Sequence, residues 1–133
     1  MNTTQNTTTA NAPRVLSSSS IVGTNVVNKA NESMGDIKDL MIDLRTGEVQ
    51  YAVLSFGGFL GMGDKLFAVP LDAFDVDSDH ERFVLDADKD RLQNSPGFDK
   101  DNWPGTNDTK FVDSVYSYYG VQRRRPQADP RLS

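Results

Sequence analysis

The run DLMIDLRTGEVQYAVLSF, residues 39–56, has a two-residue period on both sides of RTG. Leu40, Ile42 and Leu44 are interleaved with Met41, Asp43 and Arg45, and Val49, Tyr51 and Val53 with Gln50, Ala52 and Leu54. That period puts successive side chains on opposite faces of an extended chain, which is the geometry of a strand. RTG is a three-residue hairpin loop in which Gly47 suits the left-handed position that a type I turn followed by a bulge requires. An antiparallel pair is thereby set, and the other segments must be arranged around it.

Those segments are short and mostly strand-like. Upstream, IVGTNVVNKANESMGDI contains a short strand near Val26, a turn over residues 30–33 and the start of the first hairpin strand at Met34 and Gly35. Downstream, KLFAVP, AFDVD and RFVLDA are separated by Pro70 and by the polar turn DSDHE. The total is about six strands. The expected fold is mainly β, a small six-stranded antiparallel barrel, closed or partly open, because a small sheet hides its unpaired edges best by closing on itself. A helical extension follows. ADKDRLQNSPGF reads as one or two helical turns capped by Asp86 or Asp88 and stopped by Pro96. NDTKFVDSVYSYYG then places Phe111, Val115 and Tyr119 four residues apart, flanked by Val112 and Tyr116, with Asp108 or Thr109 to cap the start and Gly120 to end it. This apolar stripe has to be covered, either by the sheet or by a partner.

A chain of 133 residues has room for one modest core, and the lack of cysteine excludes disulfides and thiolate metal sites. The expected organisation is a disordered Thr-, Asn- and Ser-rich arm over residues 1–19, the barrel over 20–98, an extension with the amphipathic helix over 99–120 and a basic disordered tail over 121–133. The chain does not open on a basic start and an apolar stretch, and nothing in it approaches the ~18 unbroken apolar residues of a membrane span, so a cytoplasmic location is expected. The formal net charge of −5 is unevenly spread. Residues 20–105 carry sixteen acidic and eight basic side chains, a net of −8, whereas residues 121–133 carry four Arg and one Asp, a net of +3. An acidic body repels nucleic acid and anionic lipid, which disfavours both as partners.

SFGGFLGMGDKLFAVP concentrates Gly57, Gly58, Gly61 and Gly63 among apolar residues, which invites a comparison with phosphate-binding loops. A P-loop needs Lys and then Ser or Thr directly after its last glycine, and a helix beyond. Here Asp64 intervenes before Lys65, Leu66 follows, and a strand comes next. The order Gly58, Gly61, Gly63 does not fit a dinucleotide loop either. The glycines are read as a bend, permitting bulges and positive φ where one strand leaves the sheet and the next begins.

MGDIKDLMIDLRTGEVQYAVLSFGGFLGMGDKLFAVPLDAF, followed by an aspartate-rich turn and SPGF, resembles the PRC-barrel domain over residues 20–98, with GGFLGMGDKLFAVP as its most specific piece. That domain is named for the cytoplasmic part of the photosynthetic reaction centre H subunit, and it also forms the C-terminal part of a bacterial ribosome maturation factor. DNWPGTNDTKFVDSVYSYYG looks like the extension of stand-alone bacterial members. The resemblance implies a twisted six-stranded barrel used as an assembly or docking module, often dimeric, with no enzymatic activity. The H subunit's membrane helix and the ribosome factor's RNA-associated domain have no counterpart in the sequence, so neither specific function carries over.

The expected function is a non-enzymatic protein-interaction module that self-associates as a homodimer, with no cofactor and no small-molecule substrate. The alternatives are a ribosome- or RNA-associated accessory protein and, behind that, a ligand-binding barrel. Phe59, Leu60 and Met62 lie among the bend glycines, where a turn would normally be polar. Exposed, they form an apolar tip whose burial against a partner yields about 1.5–3 kcal/mol per side chain; otherwise they fold back over the barrel end. Trp103 is either an anchor for the C-terminal segment or a contact residue. With Phe111, Val115, Tyr116 and Tyr119 these make up the candidate interface. Asp75, Asp77 and Asp79 look like the start of a calcium loop, but His80 stands at the glycine position and Asp86 at the bidentate glutamate position. A solvated turn is the alternative, and Asp86, Asp88 and Asp90 fail the same test. His80, the one histidine, is too close in sequence to Ser78 and Asp79 to form a triad with them, and is read as an exposed turn residue. Arg123, Arg124 and Arg125 could meet a phosphate backbone or an acidic partner, against the reading of a solvated tail.

Overall fold

The computed structural model describes residues 15–57 and 65–122. In chain order these form a helical turn α1 (Ser18–Ile21), strands β1 (Asn25–Val27), β2 (Ser33–Ile42), β3 (Val49–Phe56) and β4 (Lys65–Val69), a 3-10 turn (Leu71–Ala73), β5 (Phe74–Asp77), β6 (Arg82–Leu85), helix α2 (Lys89–Gln93), β7 (Gly97–Phe98) and helix α3 (Thr109–Tyr119). The last five residues of the expected N-terminal arm, 15–19, lead into and begin α1, whose N-cap is Ser17. The first fourteen lie outside the described residues, as do 123–133 of the basic tail.

The hairpin forms, β2 and β3 pairing antiparallel with Ile37 opposite Leu54 and Leu40 opposite Ala52, but register shifts at 37–39 and 41–42 interrupt the two-residue period, and the connection takes in residues 43–48, with Leu44 in the turn and not in the strand. Around it the described residues build one seven-stranded sheet in the order β5-β6-β1-β2-β3-β4-β7. Two features differ from the expected six-stranded antiparallel arrangement, and a third decides between its closed and partly open forms. The seventh strand is β7, a two-residue pairing with β4 inside SPGF that is too short to leave a period in the sequence. The β1–β6 pair is parallel, with Val26 beside Phe83, because these strands are not consecutive and a long connection lets the second return in the same direction. The outer strands β5 and β7 do not pair with each other, so the sheet is not closed.

It nevertheless has to curl. Val69 ends β4 and Phe74 begins β5, five residues on, a reach of at most about 18 Å. In the strand order these two are five spacings apart, about 24 Å in a flat sheet. The curled concave face encloses the main core, where Val26, Met34, Ile37, Leu54, Phe67 and Leu85 meet Leu92 from α2. A second core lies on the outer face of β3 and β4, where Tyr51, Val53, Leu66, Ala68 and Phe98 are covered by Val115 of α3. The central residues of β3, Tyr51 to Leu54, are therefore buried on both sides, each alternate set facing a different core.

Close packing in the sheet depends on glycine at two positions. Gly35, in β2, has φ +97°, and a Cβ there would overlap the carbonyl oxygen of Ser55 on β3. Gly97 of β7 sits where a Cβ would lie 2.6 Å from the Leu66 carbonyl oxygen.

Candidate interaction surface

The C-terminal stripe is directed onto the chain's own sheet. Asp108 is the N-cap of α3, its carboxylate accepting the Phe111 N–H at 3.0 Å, and Gly120 ends the helix in the left-handed conformation at φ +67°. Val115 is fully buried, and Phe111, Val112 and Tyr116 are half-buried against the second core. The Phe111 ring meets Tyr51 edge-on at 5.8 Å and Phe98 at 6.0 Å. The Tyr116 hydroxyl donates to the Gln50 carbonyl. Tyr119 packs on the main core instead, and burial pushes its phenol above the ordinary tyrosine value. Arg91 latches the far end, donating to the Tyr118 carbonyl at 2.7 Å with its guanidinium over the Tyr118 ring, while the Tyr118 hydroxyl donates back to the Arg91 carbonyl at 2.6 Å. A cation at a helix C-terminus also meets the negative end of the helix dipole. Trp103 anchors the segment before the helix: its indole N–H donates to the Lys100 carbonyl at 2.8 Å and its ring lies 5.0 Å from Phe98.

Of the bend residues, Gly57 directly follows β3, and Gly58, Phe59, Leu60, Gly61, Met62 and Gly63 lie outside the described residues, as do Arg123, Arg124 and Arg125. Asp75 and Asp77 belong to the edge strand β5, and Asp79 to the turn after it. They do not make a cation cage. The Asp77 carboxylate accepts from Arg82 at 3.0 Å and faces the His80 ring nitrogen at 3.0 Å, and its pKa is lowered chiefly by His80, with Arg82 adding to the effect. Among the described residues no group of three His, Cys, Asp or Glu side chains is placed to hold a metal ion.

The most exposed large apolar side chain among the described residues, Leu44, lies where the sequence shows only strand alternation; Val15, Leu16, Val22 and Val76 are exposed elsewhere. Ile42 is 49% exposed and Leu44 is 91% exposed, at the end of the β2–β3 hairpin. The signal was the presence of a leucine inside the otherwise polar turn DLRTGE. The turn that carries it is held by Asp43, whose backbone N–H donates to Glu48 at 2.8 Å and whose carbonyl accepts from Gly47 at 2.7 Å. The Asp43 carboxylate accepts the Arg45 N–H at 2.8 Å and the Gln50 amide at 2.9 Å. Gly47 supplies φ +78°. Beside the turn a groove of about 560 Å³ runs between Met41, Tyr51, Phe111 and Val112 on one side and the 104–109 segment on the other.

The Arg45 N–H, helped by Gln50 and the Arg45 charge, holds the Asp43 carboxyl below its ordinary 3.8. A depressed folded-state pKa stabilises the fold above the unfolded value, and that contribution is lost as pH falls through the folded one. Asp43 and Asp77 both have this sign. Thermal melts followed by circular dichroism are expected to show a midpoint that drops below about pH 4, with a shallower drop in the Asp43→Asn, Asp77→Asn double variant. An equally steep drop in that variant would assign acid sensitivity to other carboxylates.

The fold is that of a small β domain, a curled sheet with one helix laid on its outer face. Residues 13–92, more than half of the chain, match the PRC-barrel domain. The chain belongs to the PRC-barrel domain family. No curated protein matches it. Among the described residues no helix is long and apolar enough to cross a membrane.

Proposed function

We propose that this PRC-barrel protein is a non-enzymatic interaction module that self-associates as a homodimer in the cytoplasm. The observation that carries this reading is the exposed Leu44 and Ile42 on a turn fixed by its own hydrogen bonds. An apolar side chain held in water by a preorganised turn costs solvation in the monomer and little further ordering when a partner covers it. With Phe111, Val115 and Tyr116 packed on the chain's own sheet, the stripe of α3 is occupied in the monomer, and the proposed contact lies at the hairpin end instead. The RNA-associated alternative has the family kinship and the Arg123 to Arg125 run in its favour, against a body of net charge −8 over residues 20–105.

Light scattering coupled to size exclusion tests the proposal on the full chain. A dimer is expected at tens of micromolar, since a specific contact of modest size holds at about micromolar strength. A strict monomer there would reject self-association.

A further inference from the structure

The sheet stops at β5, whose outer side pairs with no other strand among the described residues. A free edge offers unpaired backbone N–H and C=O groups to an extended segment that reaches it. The β5–β6 hairpin is also strongly acidic. Residues 71–85 carry five acidic side chains and one arginine, a net of −4, which is half of the −8 carried by residues 20–105. That arginine, Arg82, is already taken by Asp77 at 3.0 Å. The exposed Asp75, Asp79 and Glu81 have no ion-pair partner among the described residues. A groove of about 570 Å³ opens at the same hairpin, lined by the exposed apolar side chains of Leu16, Val22 and Val76 and by Glu81.

Residues 123–133 supply the opposite set. They carry four Arg and one Asp, a net of +3, and Leu132 is their one large apolar side chain. They continue from Gln122, two residues beyond the Gly120 cap of α3. The eleven residues span up to about 37 Å when extended, whereas a domain of about 100 residues, with a radius of gyration near 13 Å, is about 34 Å across, so the hairpin is within reach of its own chain.

We infer that this basic segment docks on the β5–β6 hairpin of its own chain, with Arg123, Arg124 and Arg125 along the free β5 edge and Leu132 in the groove. The guanidinium groups donate both to the unpaired carboxylates and to free carbonyls of the edge. Other occupants fit less well. A second copy's hairpin would bring like charge against like charge, and residues 1–14 carry a single charged side chain, Arg14. Tethering also raises the local concentration of the segment to about millimolar, above that of a second copy at tens of micromolar. The contact is made within one chain and does not depend on the homodimer. Docked there, the arginines are withheld from any other anion.

The chain has no cysteine, so Gln127→Cys places a single nitroxide spin label within the segment of the otherwise intact protein. In amide NMR spectra at low salt, the label is expected to broaden residues 74–82 more than any other strand or turn. The broadening is expected to disappear at about 0.5 M salt, where the screening length falls to about 4 Å. Arg123→Glu, Arg124→Glu and Arg125→Glu together are expected to abolish it, and Asp75→Lys, Asp79→Lys and Glu81→Lys added to that chain to restore it. Melting followed by circular dichroism checks that each variant keeps its fold.

Broadening that is even over the surface, or centred on another face, overturns the site. Broadening that survives the three arginine reversals overturns the charge pairing. A mixture of spin-labelled chain with isotope-enriched chain lacking the label is expected to show no broadening of the latter; broadening there as strong as within one chain overturns docking in cis and makes a second copy the donor of the segment.

Discussion

Gly35→Ala is expected to cost about 4 kcal/mol or more, enough to remove most of the stability of a domain of this size. The side chain would have to be accommodated at φ +97°, a region L residues enter at a cost of about 1–2 kcal/mol. It would also overlap the Ser55 carbonyl oxygen and press on Phe56 Cα at 3.1 Å, and both are backbone atoms of a central strand that cannot rotate away. Gly47→Ala provides the control. It has a comparable φ of +78° but nothing within 4 Å of the new Cβ, so it should cost only about 1–2 kcal/mol. Urea denaturation of the two variants beside the parent measures the difference. Equal costs at the two sites would mean that β2 and β3 are not as close at Gly35 as described.

The second large effect is expected at Val115. It is fully buried between α3 and the outer face of β3 and β4. Val115→Asp places an unpaired carboxylate in an apolar contact, a change worth about 4 kcal/mol or more, whereas Val115→Ala should cost about 1–3 kcal/mol through lost contact and a small cavity. Both should act on the monomer, at concentrations too low for association. A Val115→Asp protein with an unchanged urea midpoint would return this stripe to the surface and make it a partner-binding face.

What could be read in advance depended on how local the determining interactions are. The β2–β3 hairpin was legible because period and turn residue lie within one short run, and the limits of α3 were legible because Asp108 and Gly120 act on the backbone next to them. The parallel β1–β6 pair was not, since nothing near Val26 records that Phe83 lies beside it. Nor was Gly35 distinguishable as a point of close approach, because the atom it makes way for is twenty residues distant on another strand. The glycine-rich bend stands out in the sequence, while Ile42 and Leu44, two of the exposed apolar residues among those described, fall within a strand pattern that takes no account of where the sheet ends. The side of the molecule that α3 covers was also open in the sequence: an apolar stripe specifies that something must be covered and leaves the identity of the cover to the tertiary fold.

The pairing of β1 with β6 also dictates an order of assembly. Val26 and Phe83 are 57 residues apart in the chain. During synthesis β1 can pair at once with β2, its antiparallel neighbour on one side, while its other edge waits for β6. Contacts this distant delay folding, because the intervening loop has to be closed before they contribute anything. The seam between β1 and β6 is therefore one of the last to form, and until β6 emerges the far edge of β1 stays open to a chaperone or a wrong neighbour.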